Sequence, residues 1–186
     1  MRVIAGLCRG RNLKSVKGLA TRPTADRVKE AIFNVLNFKV QNAVFLDLFA
    51  GTGSMGIEAL SRGGKLSVFV EKEKKAIKVL QENLLNCQLE EYAQVYPTDY
   101  GHALKLLHKN RYKFNLVYLD PPYKLMIIDN ILKELVSLEL LIKGAIVIAE
   151  TDLTTQLTQG YKKLFKVRED KYGDTKITYY QLNGED

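Results

Sequence analysis

Four carboxylates carry the first chemical signal in this chain. Asp47, Glu71 and Asp120 each close a short apolar run (VFLD, SVFVE, NLVYLD), and Asp99 follows a fourth, weaker run. If those runs are parallel strands, all four acids arrive at one edge of a sheet, where open α/β sheets bind ligands. Core packing does not explain such a row, because a buried carboxylate costs several kcal/mol unless it is paired. Directly after Asp47 the chain turns through Gly51, Gly53 and Gly56 into an amphipathic segment. Gly51 and Gly53 lack a Cβ, so that turn can take positive φ and bring backbone close to a ligand. The free N–H groups opening the next helix then favour negative charge. Glycine turn and acids together suit a nucleotide-like cofactor, with Asp47 placed to face an ammonium group. Glu71 lies 24 residues beyond Asp47, near the spacing of about 20 at which an acid reaches ribose hydroxyls. Glu71 also opens EKEKK and can be a solvated charge, and Asp99 can be a helix N-cap.

The sharpest signal is Asp120-Pro121-Pro122-Tyr123. Two prolines have fixed φ and no N–H, so they stop the strand and hold the following residues at the sheet edge. What remains there is acceptors only. Such a corner suits a planar amino group on a base, with both N–H bonds held while Tyr123 stacks on the ring. The lone pair of that nitrogen is delocalised into the ring, and acceptors at Asp120 and the Pro121 carbonyl favour the positive charge it gains on attack. With an ordinary pKa of about 3.9, Asp120 is expected to be ionised at neutral pH and to act as acceptor and orienter.

The elements that must position these residues follow from hydrophobic period. Strands are expected at 44–48, 66–71, 93–96, 115–120 and 145–150, with helices over about 54–62, 73–87, 100–109 and 127–137 between them. Thr24 can cap an earlier helix whose Val28, Ile32, Val35 and Leu36 share one face, leaving Arg22, Arg27 and Lys29 at its rim. Regular β-α alternation means parallel strands with helices on both faces. Strands at 162–168 and 176–182, joined by EDKYGD, should close the sheet with an antiparallel hairpin. Residues 2–5 and 11–16 read as a small N-terminal β-hairpin with Arg9 and Arg11 at its turn. The fold class is therefore α/β, a mostly parallel seven-stranded sheet, in one domain spanning 1–186.

Charge is localised. Residues 1–40 hold nine Lys and Arg against Asp26 and Glu30, which accounts for the whole formal net charge of +7; the remaining residues balance. No acid precedes Asp26. A solvated basic face is one explanation, and a polyanion-binding extension over 1–22 is favoured. Cys8 and Cys87 lack metal-ligand spacing and are expected to be reduced, with no metal site. No apolar run approaches the roughly 20 residues that span a bilayer, so a cytoplasmic protein is expected.

The stretch D-L-F-A-G-T-G resembles motif I of the class I S-adenosylmethionine (SAM) methyltransferases. DPPY is similar to the Asp/Asn-Pro-Pro-Tyr/Phe motif of enzymes that methylate exocyclic or amide nitrogen. RVIAG, RGRNL, TRPTADRVKEAIFNVL, DLFAGTGSMGIEALSRG, DPPY and YGDT together resemble the RsmD-like family, which methylates N2 of a guanine in 16S ribosomal RNA. That resemblance implies a Rossmann-like methyltransferase fold with SAM as cofactor. Asp47, Phe49, Gly51, Thr52 and Gly53 would hold its methionine end, Glu71 its ribose and Asp99 its adenine amino group, with Thr24 close by. Asp120, Pro121, Pro122 and Tyr123 would form the catalytic corner, and Arg9, Arg11, Arg22, Arg27 and Lys124 would contact RNA. The implied partner is 16S rRNA or an assembling small ribosomal subunit, met by a monomer, with the target base unstacked or in a loop. A DNA adenine-N6 methyltransferase would share both motifs, yet 186 residues leave little room for a target-recognition region. A nicotinamide-dependent oxidoreductase would share only the glycine spelling. A non-catalytic RNA-binding module would leave the row of carboxylates unused.

Overall fold

In the computed structural model, which describes residues 1–16, 26–122 and 127–184, eight strands form one sheet in the order β3-β2-β1-β4-β5-β8-β7-β6. β1 (Val44–Asp47), β2 (Leu66–Val70), β3 (Ala93–Tyr96), β4 (Phe114–Leu119) and β5 (Leu141–Asp152) run parallel. β8 (Thr175–Leu182), β7 (Leu164–Tyr172) and β6 (Gly160–Tyr161) complete it in antiparallel fashion. The eighth strand beyond the seven expected is β6, whose two residues are too few to show an alternating pattern. The link between β7 and β8 is also tighter than EDKYGD suggested. Tyr172 pairs with Thr175, so only Gly173 and Asp174 form the turn, and Gly173 takes φ +58°. Two-residue hairpin turns select positive φ in this way because its twist matches that of the strands.

Five helices cover the sheet: α1 (Asp26–Leu36), α2 (Ser54–Ser61), α3 (Lys74–Cys87), α4 (Tyr100–Lys109) and α5 (Ile128–Ser137). α4 and α5 pack on one face through Leu104, Leu107, Ile131 and Leu135, against Leu46, Val68 and Val117. α1 lies on the other face with Ile32, Phe33 and Leu36 against Phe45 and Ile148, and α2 and α3 extend that layer. Both faces being covered, the strands read as nearly unbroken apolar runs. β1 sits between β2 and β4, so successive crossovers leave it in opposite directions. Its carboxyl end is a topological switch point, with a crevice outside it.

The N-terminal segment departs from the expected hairpin. One bridge, Arg2 to Asn12, and the bonds Val3 N to Arg11 O (3.0 Å) and Gly10 N to Val3 O (2.9 Å) close its turn, but no strands form. The cause is competition for the backbone. Ile4 and Ala5 give their N–H groups to the Glu58 carboxylate of α2 at 2.8 and 3.0 Å. Gly6, at φ +83°, comes so close to α2 that a Cβ would lie 1.7 Å from the Ser61 carbonyl oxygen. Cys8 and Cys87 are buried free thiols, with Cys8 Sγ donating to the Cys87 carbonyl at 3.3 Å. No described helix is long and apolar enough to cross a membrane, and no described group of His, Cys, Asp and Glu could hold a metal ion.

Candidate active site at the carboxyl ends of β1 and β4

The glycine corner is strapped to both neighbouring strands. Leu48 donates to the Tyr118 carbonyl on β4 (3.1 Å) and Ala50 to that of Val70 on β2 (2.9 Å). The three glycines then serve three different ends. Gly51 takes φ +53°, and a Cβ there would meet only open space. Gly53 takes φ +85°, and its Cβ would stand 2.1 Å from Leu80 Cδ1 of α3. Gly56 lets α2 settle on β2, since a Cβ would come within 2.2 Å of the Phe69 ring. Glu71 is fixed by this loop: it accepts from Gly51 N (2.8 Å), while its other oxygen takes Lys72 N and Glu73 N, each at 2.8 Å. Asp47 is only 1 % exposed and accepts from Gly56 N at 3.1 Å. Burial pushes its carboxyl up to about 7, against the lowering effect of that bond and with a further push from the Glu71 charge.

The proline corner stands beside it. Tyr118 is in register with Asp47 on one side and Ile148 on the other, so Asp120, two residues on, emerges between the ends of β1 and β5. Its neighbour across β5 is Glu150, 4 % exposed, whose carboxylate accepts the Tyr118 hydroxyl. Burial, then the Glu150 charge, then that of Asp47 hold the Asp120 carboxyl well above the usual range. This corrects the expectation of an ordinary ionised aspartate. Asp47 and Glu150 are buried and Asp120 half-buried between them, and charge on either neighbour opposes ionisation of Asp120. Pro121 is buried and Pro122 exposed. Tyr123, Lys124, Arg22 and Thr24 lie outside the described residues, and with Thr24 the expected cap of α1.

At the far side of the crevice the half-buried ring of Phe49 packs on Tyr100, with centroids 5.6 Å apart. Asp99, next to it, caps α4 by accepting from His102 N at 3.0 Å, and that bond lowers its carboxyl pKa. Thr52 is held through its carbonyl, which accepts from Asn83 Nδ2 at 2.9 Å. Asn83 also accepts from Lys14 N (2.8 Å) and donates to Lys14 O (3.0 Å), so one buried amide joins the glycine loop to the N-terminal segment. Lys29 was expected at the rim and is instead fully buried. Its ammonium donates to Arg2 O (2.6 Å) and Ser54 Oγ (3.2 Å) and lies 3.6 Å from Glu58. A lysine inside an apolar stripe is so placed because it ends among three acceptors; burial still lowers its pKa. Arg27 and Arg9 are exposed, whereas Arg11 is half-buried and donates to the Asn86 carbonyl at the end of α3.

Sequence reading missed Glu150, Tyr100, Asn83 and Lys29. Glu150 had a signal, because IVIAE is an apolar run ending in an acid like the other three. The remainder had none, since their partners are 25 or more residues away or, for Tyr100, on another element.

A model of the family described as conserved hypothetical protein 95 matches residues 1–181. YlbH of Bacillus subtilis (strain 168) is 40% identical over 184 residues, covering 99% of this chain and 100% of that one. Ribosomal RNA small subunit methyltransferase D of Haemophilus influenzae is 38% identical over 154 residues, 82% of this chain and 79% of its own. Among solved structures, yhhF from Escherichia coli superimposes with a TM-score of 0.86 at 29% identity, covering 100% of this chain and 99% of that one.

Proposed function

The chain belongs to the RsmD-like family described as conserved hypothetical protein 95, and on that premise we propose that it transfers a methyl group from SAM to the exocyclic N2 amino group of a guanine in 16S ribosomal RNA. One observation carries the reading: the acid and glycine corner after β1 and the acid and proline corner after β4 open onto the same crevice from adjacent strands. SAM fits this crevice electrostatically. It brings ammonium and sulfonium charges to a site where the charges of Glu150 and Asp47 oppose ionisation of Asp120, and a neighbouring cation favours the ionised form of Asp47 and Asp120. When bound it supplies an electrophilic methyl group.

The chain's own residues do the rest. Asp47 and the backbone from Phe49 to Gly53 hold the ammonium end, and Glu71 exchanges its bond to Gly51 for ribose hydroxyls. The packed Phe49 and Tyr100 rings would offer the adenine one apolar side, with Asp99 accepting from its amino group. Asp120 and the Pro121 carbonyl accept both N–H bonds of the target amine, orient its lone pair and stabilise the positive charge that develops on it. A carboxylate whose proton affinity is raised is well matched to take the proton that nitrogen sheds after transfer. The same reading takes residues 1–186 as one cytoplasmic monomeric domain, with 1–22 as its RNA-binding extension.

The test is to digest 16S RNA from cells lacking the protein, before and after treatment with purified enzyme and SAM, and to map methyl groups by mass spectrometry. Methyl appearing on a guanine amino group is the expected result. Transfer only to adenine in DNA, or binding of NAD without SAM, would overturn the reading.

A further inference from the structure

We infer that the solvent face of α3, continuous with the docked N-terminal segment, is a binding strip for the phosphate backbone of the RNA substrate. The inference rests on the proposed rRNA substrate and extends it to a surface outside the basic N-terminal residues. Lys74 and Lys78 are one helical turn apart on this face, with Lys75 beside them, and all three are exposed. The next position on the same face is Glu82, whose charge is met by Lys14 at 2.8 Å and lowered in pKa first by Lys14 and also by Lys78. Beyond it the Arg11 guanidinium bonds the Asn86 carbonyl, Asn86 Nδ2 bonds the Asn12 carbonyl (3.3 Å), and Arg9 stands exposed at the turn. The N-terminal segment is thus laid along α3, and its charges continue the row of lysines. At 1.5 Å per residue the strip from Lys74 to Asn86 is about 18 Å long, enough for several successive phosphates.

Two features argue against an ordinary solvated face. Lysines in the first turn of a helix oppose its macrodipole, which disfavours cations there. α3 sets Lys74 and Lys75 there behind an N-cap, Glu73, whose side chain makes no capping hydrogen bond; α2 also starts without an acid or a side-chain cap but carries no lysine in its first turn, α1 and α5 have Asp26 and Asp129 there, and α4 is capped by Asp99. Cations set against a local rule at a helix start mark a functional surface more often than a structural one. The second feature is continuity. The strip begins three residues after Glu71, whose carboxylate is held by Lys72 N and Glu73 N at the mouth of the crevice. A strand lying on these lysines meets the crevice at its β2 side, two strands from the Asp120 corner where its base would react. Phosphate contacts of this kind set register and orientation and leave base choice to the crevice.

The experiment compares K74E/K78E with a matched pair, K105E/K109E, on the exposed side of α4 across the sheet. A 16S RNA fragment carrying the unmethylated target guanine is titrated at several salt concentrations, SAM affinity is measured separately, and thermal unfolding checks the fold. For K74E/K78E the slope of log affinity against log salt should become shallower by about 2, with at least about a tenfold loss at low salt. SAM affinity should be unchanged, and K105E/K109E should behave as wild type. An unchanged slope in K74E/K78E, or an equal loss in both pairs, overturns the strip. So does a defect seen only on ribosomal particles, which would assign the face to a protein partner. Wild-type protein that neither binds nor methylates RNA would instead overturn the proposed function, so the two failures are separable.

Discussion

The crevice and the α3 flank hold charge of opposite sign by opposite means. In the crevice Asp47 and Glu150 are withdrawn from water with the half-buried Asp120 beside them, so their interactions are short-ranged and poorly screened. On the flank Arg9, Lys74, Lys75 and Lys78 are solvated and spread along a helix, where salt screens them over about 10 Å at 0.1 M. Neither arrangement helps the chain fold. The crevice costs desolvation and repulsion, and the flank sets lysines against a helix dipole. A buried acid can choose between two protonation states and can recognise one cation at one place; an exposed row of lysines attracts any polyanion and aligns it. On the proposed function, chemistry and gathering of substrate are thereby separated.

Substitutions can break this contrast in order of effect. Asp120→Ala should lower methyl transfer by about a thousandfold while leaving SAM affinity within a few-fold; lost SAM binding with retained turnover would show that Asp120 belongs to the cofactor instead. Gly53→Ala adds a clash with Leu80 to a positive φ, and urea denaturation should show a loss of about 2–4 kcal/mol, combining overpacking and left-handed strain. Gly51→Ala meets open space and should cost only the strain, about 1–2 kcal/mol. Equal losses at the two positions would refute the division of roles between them.

The pH dependence isolates the crevice further. Asp47 has its folded pKa raised from 3.8 to about 7, so the folded, ligand-free protein binds a proton that the unfolded chain has released. Its contribution to stability is therefore fully present below the lower value and is lost as pH rises through the upper one. Asp120 acts in the same direction. Asp47→Asn should gain on wild type from pH 5 to about pH 7 and then hold its lead in thermal unfolding, and a parallel decline of the two proteins would count against a protonated Asp47. SAM, being cationic, should bind more tightly over the same rise and release protons, which calorimetry in buffers of different ionisation enthalpy measures. Smallest is the flank at single positions: Arg9→Ala should reduce the salt slope of RNA binding by about 1 at most and leave this pH dependence untouched.

Much of the site was legible because its parts are local. A run such as VFLDLFAGTG specifies strand, turn and helix start through apolar period and missing Cβ atoms, and DPPY specifies a stop through two rings. Lys29 shows where such reading fails. It sits between Val28 and Ile32 on a helix with an obvious apolar face, and charge alone assigns it to water. It is buried because Arg2 and Ser54 come from other elements to meet it. The N-terminal hairpin failed for a related reason, since the backbone that would have paired there found Glu58. Asp99 satisfied its alternative reading as a cap and still stands at the expected edge, because both readings need a helix to start there.

The sequence by itself determined which residue types end each strand and where the chain must turn, because strand period, proline geometry and glycine freedom act over a few residues. Tertiary structure alone decided that Asp47, Asp120 and Glu150, spread over more than 100 positions, meet in one crevice, and that a basic N-terminus lies along α3. Register between parallel strands is a non-local hydrogen-bond pattern, and the proton affinity of a carboxyl depends on distance and solvation. Neither quantity exists until the chain has folded.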